Sequence, residues 1–209
     1  MKIAIQNIFA HKNKGIVALV CSFLLLLFSP ISHAKTILVH GDSLSAGYGM
    51  LPEQTWVTLM AKQLGEGVTV VNSSISGETS KGGLDRLPAL LSETQPDIVM
   101  IELGANDGLR GYPINQTTEN LRKMISLAQN QGAEVVLLGI RLPPNFGKRY
   151  TEPFFNQYAV LANEYETGYL PFLLEGVAGY DEYMQADGLH PTAQAQPLIL
   201  NNVLPFITD

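Results

Sequence analysis

Cysteine is almost absent from this chain, since its 209 residues include only Cys21. That cysteine lies in a segment that we expect to be removed, so the remaining chain has no thiol with which to form a disulfide. The apolar core must therefore stabilise the fold without cross-links. A chain of this size buries about 70% of its unfolded surface, which suffices for one domain of about 100–200 residues.

Basic residues are also scarce. The chain has 13 Lys and Arg against 19 Asp and Glu, which gives a formal net charge of −6. Binding to nucleic acid requires a basic patch that neutralises phosphates. The composition therefore argues against nucleic acid as a partner and against polyanionic substrates.

No apolar run has the length of a membrane span. The run from Gly15 to Phe28 covers 14 residues, whereas a transmembrane helix needs about 20. It follows three lysines and precedes Ser32-His33-Ala34, where small residues occupy the two positions that a signal peptidase reads. We expect residues 1–34 to be a signal peptide and residues 35–209 a single domain, periplasmic or secreted, without a membrane anchor. The alternative is an uncleaved single-span anchor.

Short apolar runs alternate with amphipathic stretches along the rest of the chain. This pattern is typical of parallel strands joined by crossover helices. It predicts an α/β fold with three layers, α/β/α and flavodoxin-like, around a parallel sheet of about five strands. The predicted strands are Ile37–Val39, Val68–Val71, Ile98–Ile101, Val135–Leu138 and Leu170–Leu174.

Apolar residues at helical spacing mark the connections between these strands. Pro52 suits the first turn of a helix that carries Trp56 and ends at Gly65. Pro88 lies inside the apolar stretch Thr79–Leu91, which predicts that this helix is kinked or starts late.

Chemically capable residues follow the predicted strands. Ser43 comes after the first strand, Gly77 after the second and Asn106 after the third, while Asp187 and His190 precede the final helix. Ligands of open parallel sheets bind beyond the carboxyl ends of the strands. We therefore expect these five residues to meet at one edge of the sheet.

Ser43 and His190 have the types needed for nucleophilic catalysis. A serine hydroxyl attacks a carbonyl only when a neighbouring base takes its proton, and histidine is the usual base. After residue 34 the chain has only His40 and His190. Asp187 lies three residues before His190, so one turn can bring its carboxylate to the imidazole, whereas we expect His40 to be a packing or hydrogen-bonded residue.

An attack on an acyl group also needs donors for the resulting oxyanion. The candidates are the backbone N–H groups of Ser43 and Gly77 and the side-chain amide of Asn106. A glycine at position 77 lets a substrate oxygen approach the main chain closely.

Each of these residues also has a simpler interpretation. A serine after a strand is often a helix N-cap, and Asn-Asp-Gly or Asp-Gly sequences are common in turns. Glu102 and Asp107 are possible acids, but a solvated or capping role is the simpler hypothesis. It is the order and placement of the motifs together that indicate a site.

The four motifs are Gly-Asp-Ser-Leu-Ser at 41–45, Ser-Ile-Ser-Gly-Glu around Gly77, Gly-Ala-Asn-Asp at 104–107 and Asp-Gly-Leu-His at 187–190. In this order they resemble the sequence blocks of the SGNH (GDSL) hydrolase superfamily. Further stretches, such as Ile-Arg-Leu-Pro-Pro-Asn at 140–145, are similar to its bacterial periplasmic thioesterase and lysophospholipase members. The resemblance covers nearly all of the chain after residue 34.

The resemblance implies a serine acyl hydrolase that cleaves acyl esters and thioesters through an acyl-enzyme. It assigns Ser43 as nucleophile, Asp187 and His190 as the rest of the triad, and Ser43, Gly77 and Asn106 as the oxyanion hole. It implies neither a metal nor an organic cofactor. The chain departs from the family pattern at 48–50 and 145–147, where loops can shape the acyl groove.

The segment Gly108–Pro113 directly follows Asn106 and mixes apolar side chains with glycine. We expect it to cover an acyl chain as a flap, with Leu109 and Tyr112 in contact with substrate; the alternative is a structural loop.

Three functional alternatives stay open, namely a carbohydrate acetyl esterase on the same scaffold, a non-catalytic binding module, and a flavin-binding protein. The expected partner is a small-molecule acyl ester or thioester. No heptad repeat or long apolar edge calls for a protein partner, so we expect a monomer.

Overall fold

Five apolar segments form one parallel sheet in the order β2-β1-β3-β4-β5. The structure is a computed structural model that describes residues 34–207. This strand order is that of flavodoxin-like sheets, and it confirms the predicted fold class. The strands are β1 Lys35–Gly41, β2 Val68–Asn72, β3 Ile98–Glu102, β4 Glu134–Leu138 and β5 Gly168–Leu170.

Helices cover both faces of the sheet because the central strands are apolar on both sides. Along β1, Ile37 and Val39 pack against one group of core residues that includes Trp56 and Ile199. Leu38 between them packs against the other group. The helices are α1 Ser43–Ala46, α2 Trp56–Leu64, α3 Ser80–Thr94, α4 Ala105–Leu109, α5 Ile114–Asn130, α6 Lys148–Tyr165 and α7 Gln196–Val203.

The fifth strand is shorter and earlier than predicted. It covers Gly168–Leu170, and Pro171 follows it directly. Leu173, Leu174 and Val177 are buried in the turns that come next. Their apolar character reflects packing against the core, and because a proline has no N–H to donate, the strand ends before them.

Helix α3 contains Pro88 but runs continuously from Ser80 to Thr94. Its start is fixed by Thr79, whose side chain accepts a hydrogen bond from the Gly82 N–H. The helix begins well before the proline, so the expectation of a late start is wrong. A proline in a helix removes its own N–H donor, and a strong N-cap offsets part of that loss.

The predicted signal peptide lies outside the described residues, except for Ala34. Within residues 34–207, no helix combines the length and the apolar character needed to cross a membrane.

Candidate active site

Ser43 stands at the carboxyl edge of the sheet, where β1 passes into the short helix α1. Asp42 caps this helix, because its Oδ1 accepts a hydrogen bond from the Leu44 N–H at 3.1 Å. The sequence therefore places the N-cap at Asp42 and leaves Ser43 as the first helical residue. Ser43 is one of the residues that line the cavity described below.

Ser43, His190 and Asp187 form a continuous hydrogen-bonded chain. Ser43 Oγ lies 2.9 Å from His190 Nε2, although the two residues are 147 positions apart. His190 Nδ1 lies 2.7 Å from Asp187 Oδ2. Because a carboxylate only accepts hydrogen bonds, Nδ1 carries the proton and Nε2 is free to accept the serine hydroxyl.

Asp187 is held in an ionised state. Partial desolvation opposes this, but hydrogen bonds from the His190 ring and from the backbone N–H groups of His190 and Leu189 lower the pKa of Asp187 to about 2. Its Oδ1 accepts those backbone donors at 3.0 and 2.9 Å. The carboxylate therefore fixes both the tautomer and the orientation of the imidazole.

The loop that carries His190 is tied to the loop after α1. Gln185 Nε2 donates to the carbonyl of Tyr48 at 2.8 Å and to that of Pro191 at 2.9 Å. The Tyr48 ring packs against the His190 ring, with centroids 4.4 Å apart and planes tilted by 34°. Sequence reasoning missed Tyr48 and Gln185 as site residues, and the only signal was the departure from the family pattern at 48–50.

The three expected oxyanion donors lie on separate loops of the same edge. Among residues 34–207, the backbone N–H groups of Ser43 and Gly77 donate to no other group of the protein. Gly77 adopts a φ of 81°, a left-handed conformation that favours glycine. It is this backbone conformation that selects glycine at the position, since an added Cβ would meet only Arg110 Nη2 at 3.9 Å.

Asn106 is oriented by a carboxylate. Its Nδ2 donates to Asp42 Oδ2 at 3.1 Å, and Asn106 also lines the cavity beside Ser43. One N–H of the amide is therefore engaged by Asp42, and the other is available to an oxygen in the cavity. The geometry suits the donor role that the sequence predicts for this residue.

Two buried carboxyl groups lie beneath the serine. Asp42 and Glu102 are both fully buried. Burial raises the pKa of Asp42 to about 6. Burial and the charge of Asp42 raise the pKa of Glu102 well above its ordinary value. Of the solvated or capping role expected for Glu102, the solvated one is wrong, because its place at the end of the central strand β3 encloses the side chain.

Asp107 has the capping role that the sequence favours for it. Its Oδ2 accepts from the Ser80 N–H at 2.7 Å and its Oδ1 from the Ser80 hydroxyl at 2.6 Å. Ser80 is the first residue of α3, so Asp107 satisfies a backbone donor at the start of that helix.

His40, the other histidine of the described chain, is buried away from the serine. Its ring nitrogens lie 2.9 Å from Ser73 Oγ and from the Gly83 carbonyl. Burial lowers the pKa of His40 to about 4. It is thus a neutral, hydrogen-bonded core residue, in line with the packing role that the sequence favours.

An apolar cavity of about 220 Å³ opens beside the candidate triad. Ser43, Asn106 and His190 lie at its polar end, and Leu109 lines its wall. Tyr112, which was expected to contact substrate, does not line this cavity; its side chain is 43% exposed. The other apolar side chains of the wall are Leu44, Ala105, Ile140, Leu142, Pro143, Phe172, Leu173, Leu174 and Leu189.

The segment expected to act as a flap is anchored by side chains. The Tyr150 hydroxyl lies 3.2 Å from the Gly108 carbonyl and 3.0 Å from the Tyr112 carbonyl. Arg110 Nη2 donates to the Gly77 carbonyl at 3.1 Å. These bonds connect the segment to α6 and to the Gly77 loop.

In the described part of the chain, no group of three or more His, Cys, Asp or Glu side chains is arranged to hold a metal ion.

Known proteins similar to this chain are hydrolases by name. Residues 39–197 match the sequence model of the GDSL-like Lipase/Acylhydrolase family. The chain is 52% identical over 186 residues to Esterase TesA of Pseudomonas aeruginosa, covering 88% of this chain and 92% of that protein. It is 47% identical over 177 residues to Thioesterase 1/protease 1/lysophospholipase L1 of Escherichia coli K12, covering 85% of each. The crystal structure of the psychrotrophic esterase EstA from Pseudoalteromonas sp., inhibited by monoethylphosphonate, superposes with a TM-score of 0.79 at 40% identity, covering 83% of this chain and 96% of that chain.

Proposed function

Because the chain belongs to the GDSL-like lipase/acylhydrolase family, we propose that it hydrolyses acyl esters and thioesters with Ser43 as nucleophile. The observation that carries this assignment is the chain of hydrogen bonds from Ser43 Oγ through His190 to Asp187, at 2.9 and 2.7 Å. Nucleophile, base and orienting carboxylate are all within reach of one another, as acyl transfer requires.

In the first half-reaction, His190 Nε2 takes the hydroxyl proton as Ser43 Oγ attacks the acyl carbonyl carbon. The oxyanion accepts hydrogen bonds from the Ser43 and Gly77 N–H groups and from Asn106 Nδ2. The imidazolium, stabilised by Asp187, then gives its proton to the departing alcohol or thiol. An acyl ester on Ser43 is left.

In the second half-reaction, water replaces the leaving group. His190 takes a proton from that water, and the resulting hydroxide attacks the acyl carbon. Collapse of this second tetrahedral intermediate breaks the bond to Ser43 Oγ, which recovers its proton from His190. The carboxylic acid is released and the enzyme returns to its starting state.

The cavity supports an acyl group as the part of the substrate that is bound. Its wall is mostly apolar away from the candidate triad, with Arg141 as a further polar residue, and its volume of about 220 Å³ is below the ~300–1,000 Å³ of typical drug-sized sites. We therefore propose short to medium acyl chains as preferred substrates. The relatives named above as an esterase and as a thioesterase and lysophospholipase support both ester and thioester leaving groups.

Replacing the nucleophile tests the proposal. The Ser43→Ala variant should lose at least about 10³-fold in kcat on an aryl ester and an acyl thioester, because the triad acts as a unit. Its circular dichroism should be unchanged. Ser92→Ala, an exposed position on α3, is the matched control and should keep full activity.

Covalent labelling identifies the nucleophile directly. A fluorophosphonate probe should modify the wild-type protein, and peptide mass spectrometry should locate the adduct on Ser43. The Ser43→Ala variant should remain unlabelled. Labelling of that variant at another serine would overturn the assignment, and absence of labelling in the wild type would favour a non-catalytic binding module.

The wall of the cavity gives a test of acyl specificity. Leu109→Ala enlarges the cavity and should shift the optimum of an acyl-ester series toward longer chains. Tyr112→Ala, in the same segment but outside the cavity wall, should leave the optimum in place. An unchanged profile for Leu109→Ala would remove Leu109 from the binding site.

The apolar wall disfavours an acetylated sugar, which would need a more polar groove. Comparison of acetyl-xylose with an octanoyl thioester separates the two candidates. Preference for the acetylated sugar would favour the carbohydrate esterase.

Localisation and oligomeric state are further parts of the proposal. We infer that residues 1–34 direct export and that a monomer starting at Lys35 acts in the periplasm. N-terminal sequencing of protein from a periplasmic extract should give Lys35, and light scattering should give the mass of one chain. An N-terminus at Met1 in a membrane fraction would favour the anchored alternative.

A further inference from the structure

The buried carboxyl pair Asp42 and Glu102 has no part in the steps described above. Glu102 is the last residue of β3, and Asp42 directly follows Gly41, the last residue of β1. Gly41 and Glu102 are paired across these two adjacent strands. Glu102 Oε2 accepts from the Asp42 N–H at 3.1 Å and from the Ser45 hydroxyl at 2.8 Å. The pair thus lies directly below the loop that presents Ser43.

Gly41 makes room for this arrangement. A Cβ at position 41 would lie 2.6 Å from Glu102 Oε2 and 3.0 Å from Ser45 Oγ. A side chain there would displace the Glu102 carboxyl group. The first residue of the Gly-Asp-Ser motif is therefore selected by the glutamate beneath it.

The second oxygen of Glu102 indicates the protonation state of the pair. Glu102 Oε1 is buried and receives no hydrogen bond from the described residues. An ionised carboxylate would leave that oxygen unsatisfied, and two adjacent buried carboxylates would repel each other. A protonated Glu102 has an O–H group that can donate to the carboxyl of Asp42, the residue whose backbone N–H already binds Glu102 Oε2.

No lysine or arginine among the described residues compensates the charge of the pair. The Ser45 hydroxyl faces it from α1, the Tyr158 phenol from α6, and His190 from its loop. Among residues 34–207, no Lys or Arg forms an ion pair with either carboxyl. One shared proton is then the means by which the pair avoids a double negative charge.

Asp42 must be the ionised member for the oxyanion hole to work. Its Oδ2 accepts the Asn106 amide at 3.1 Å, and its Oδ1 accepts the Leu44 N–H. An acceptor-only partner forces Asn106 to present its NH2 group, so the remaining N–H faces the cavity. A protonated Asp42 could instead donate to the amide oxygen, which would turn the amide around.

We propose that Glu102 is a positioning residue that keeps its proton and donates it in a hydrogen bond to Asp42, whose carboxylate then holds Asn106 as an oxyanion donor. This inference rests on the proposed function, since it assigns Asn106 to the transition state of that reaction. Glu102 acts through Asp42 and Asn106 and does not touch the substrate.

Substitutions at positions 42, 102 and 106 test the proposal kinetically. Asp42→Asn keeps a capping side chain but can donate, and it should lower kcat about 100-fold with little change in KM, as loss of one oxyanion donor does. Asn106→Ala should cost about the same. The double variant should have a kcat no lower than that of either single variant, because both substitutions remove the same oxyanion donor.

Substitutions at position 102 separate positioning from packing. Glu102→Leu should lose at least about tenfold in kcat in the wild-type background and little in the Asn106→Ala background. Glu102→Gln supplies a neutral donor and should rescue most of that loss. Additive effects of the Asp42 and Asn106 substitutions, or equal losses for Glu102→Leu in both backgrounds, would overturn the proposal.

Infrared spectroscopy tests the proton without turnover, and its first measurement needs only the wild-type protein. At pH 7 exposed carboxyls are ionised, so wild-type protein should show the carbonyl stretch of a buried protonated carboxylic acid. Glu102→Gln should lack this band. Its absence from the wild type would overturn the inference. Failure of the fluorophosphonate to label wild-type Ser43 would instead overturn the proposed function, so the two failures are distinguishable.

Discussion

Asp187 depends on hydrogen bonds more than on burial. Its side chain is 38% exposed, yet three hydrogen bonds keep its pKa near 2 against the effect of desolvation. A group with a depressed pKa stays ionised at every higher pH, so Asp187 remains a carboxylate across the range in which enzymes of this type are assayed. Its contribution to stability is lost only as the pH falls below about 4 toward 2.

The Asp187→Asn variant tests the orienting role. An amide can donate to His190 Nδ1, which favours the wrong tautomer, so kcat should fall by up to about 10⁴-fold. Steady-state kinetics on an aryl ester measure this loss, and a loss below about tenfold would contradict the orienting role.

Tyr48 illustrates which site residues the sequence could not predict. The motif residues have side chains that the chemistry itself requires, so their order and spacing were enough to propose them. Tyr48 contacts His190 only because two loops far apart in sequence meet at one edge of the sheet. Asp42 and Glu102 likewise become a pair through the register of β1 and β3, which no local pattern reports.

The ring of Tyr48 has a testable contribution. It packs against the His190 ring with centroids 4.4 Å apart, and such contacts between rings are worth about 0.5–1.5 kcal/mol. Tyr48→Ala should therefore lower kcat/KM about 2- to 12-fold, while Tyr48→Phe keeps the ring and should stay near wild type. Steady-state kinetics on one aryl ester distinguish the two, and equal losses would assign the effect to the hydroxyl.

At the scale of elements, the apolar runs predicted the strands because central parallel strands are buried on both faces. The prediction was less accurate at the edge strand β5. Leu173 and Leu174 are apolar because they pack against the core outside the sheet, and their sequence therefore resembles that of a strand. Helix α4 is likewise positioned by a tertiary contact, since Tyr150 of α6 binds carbonyls at its end. Such contacts determine how firmly Asn106 and Leu109 are held.

Removal of the Tyr150 hydroxyl tests whether its contact with these carbonyls holds α4 and the residues after it in place. Tyr150→Phe deletes the one hydroxyl proton that the Gly108 and Tyr112 carbonyls share, a contact worth about 0.5–1.5 kcal/mol, and should speed amide hydrogen exchange in residues 105–113. KM for an acyl ester should rise more than kcat falls, because Leu109 lines the cavity and lies within the freed segment. Tyr180→Phe, an exposed tyrosine outside the site, is the control. Unchanged exchange in Tyr150→Phe would show that the segment is held by other contacts.

For the whole molecule, the buried ionisable groups make opposite contributions to stability in acid. His40 has a folded pKa of about 4, below its unfolded 6.5, so its contribution is complete above pH 6.5 and is lost as the pH falls toward 4. The difference corresponds to about 3 kcal/mol at most. The carboxyl pair behaves in the opposite sense, because its pKa values are raised on folding. The folded protein takes up protons there before the unfolded chain does, which stabilises it as the pH falls.

These opposing effects predict the pH dependence of the free energy of unfolding. In the wild type the loss at His40 opposes the gains at Asp42 and Glu102 between pH 6.5 and 4. Asp42→Asn removes the gain at Asp42 and leaves the gain at Glu102, so the free energy of unfolding of the variant should decrease relative to that of the wild type as the pH falls over this range. Urea titrations at several pH values measure this slope, with Asp85→Asn, which affects only the exposed Lys81–Asp85 pair, as control. Parallel profiles for Asp42→Asn and the wild type would mean that Asp42 does not take up a proton in this range, and that the pair holds its single proton on Glu102 throughout.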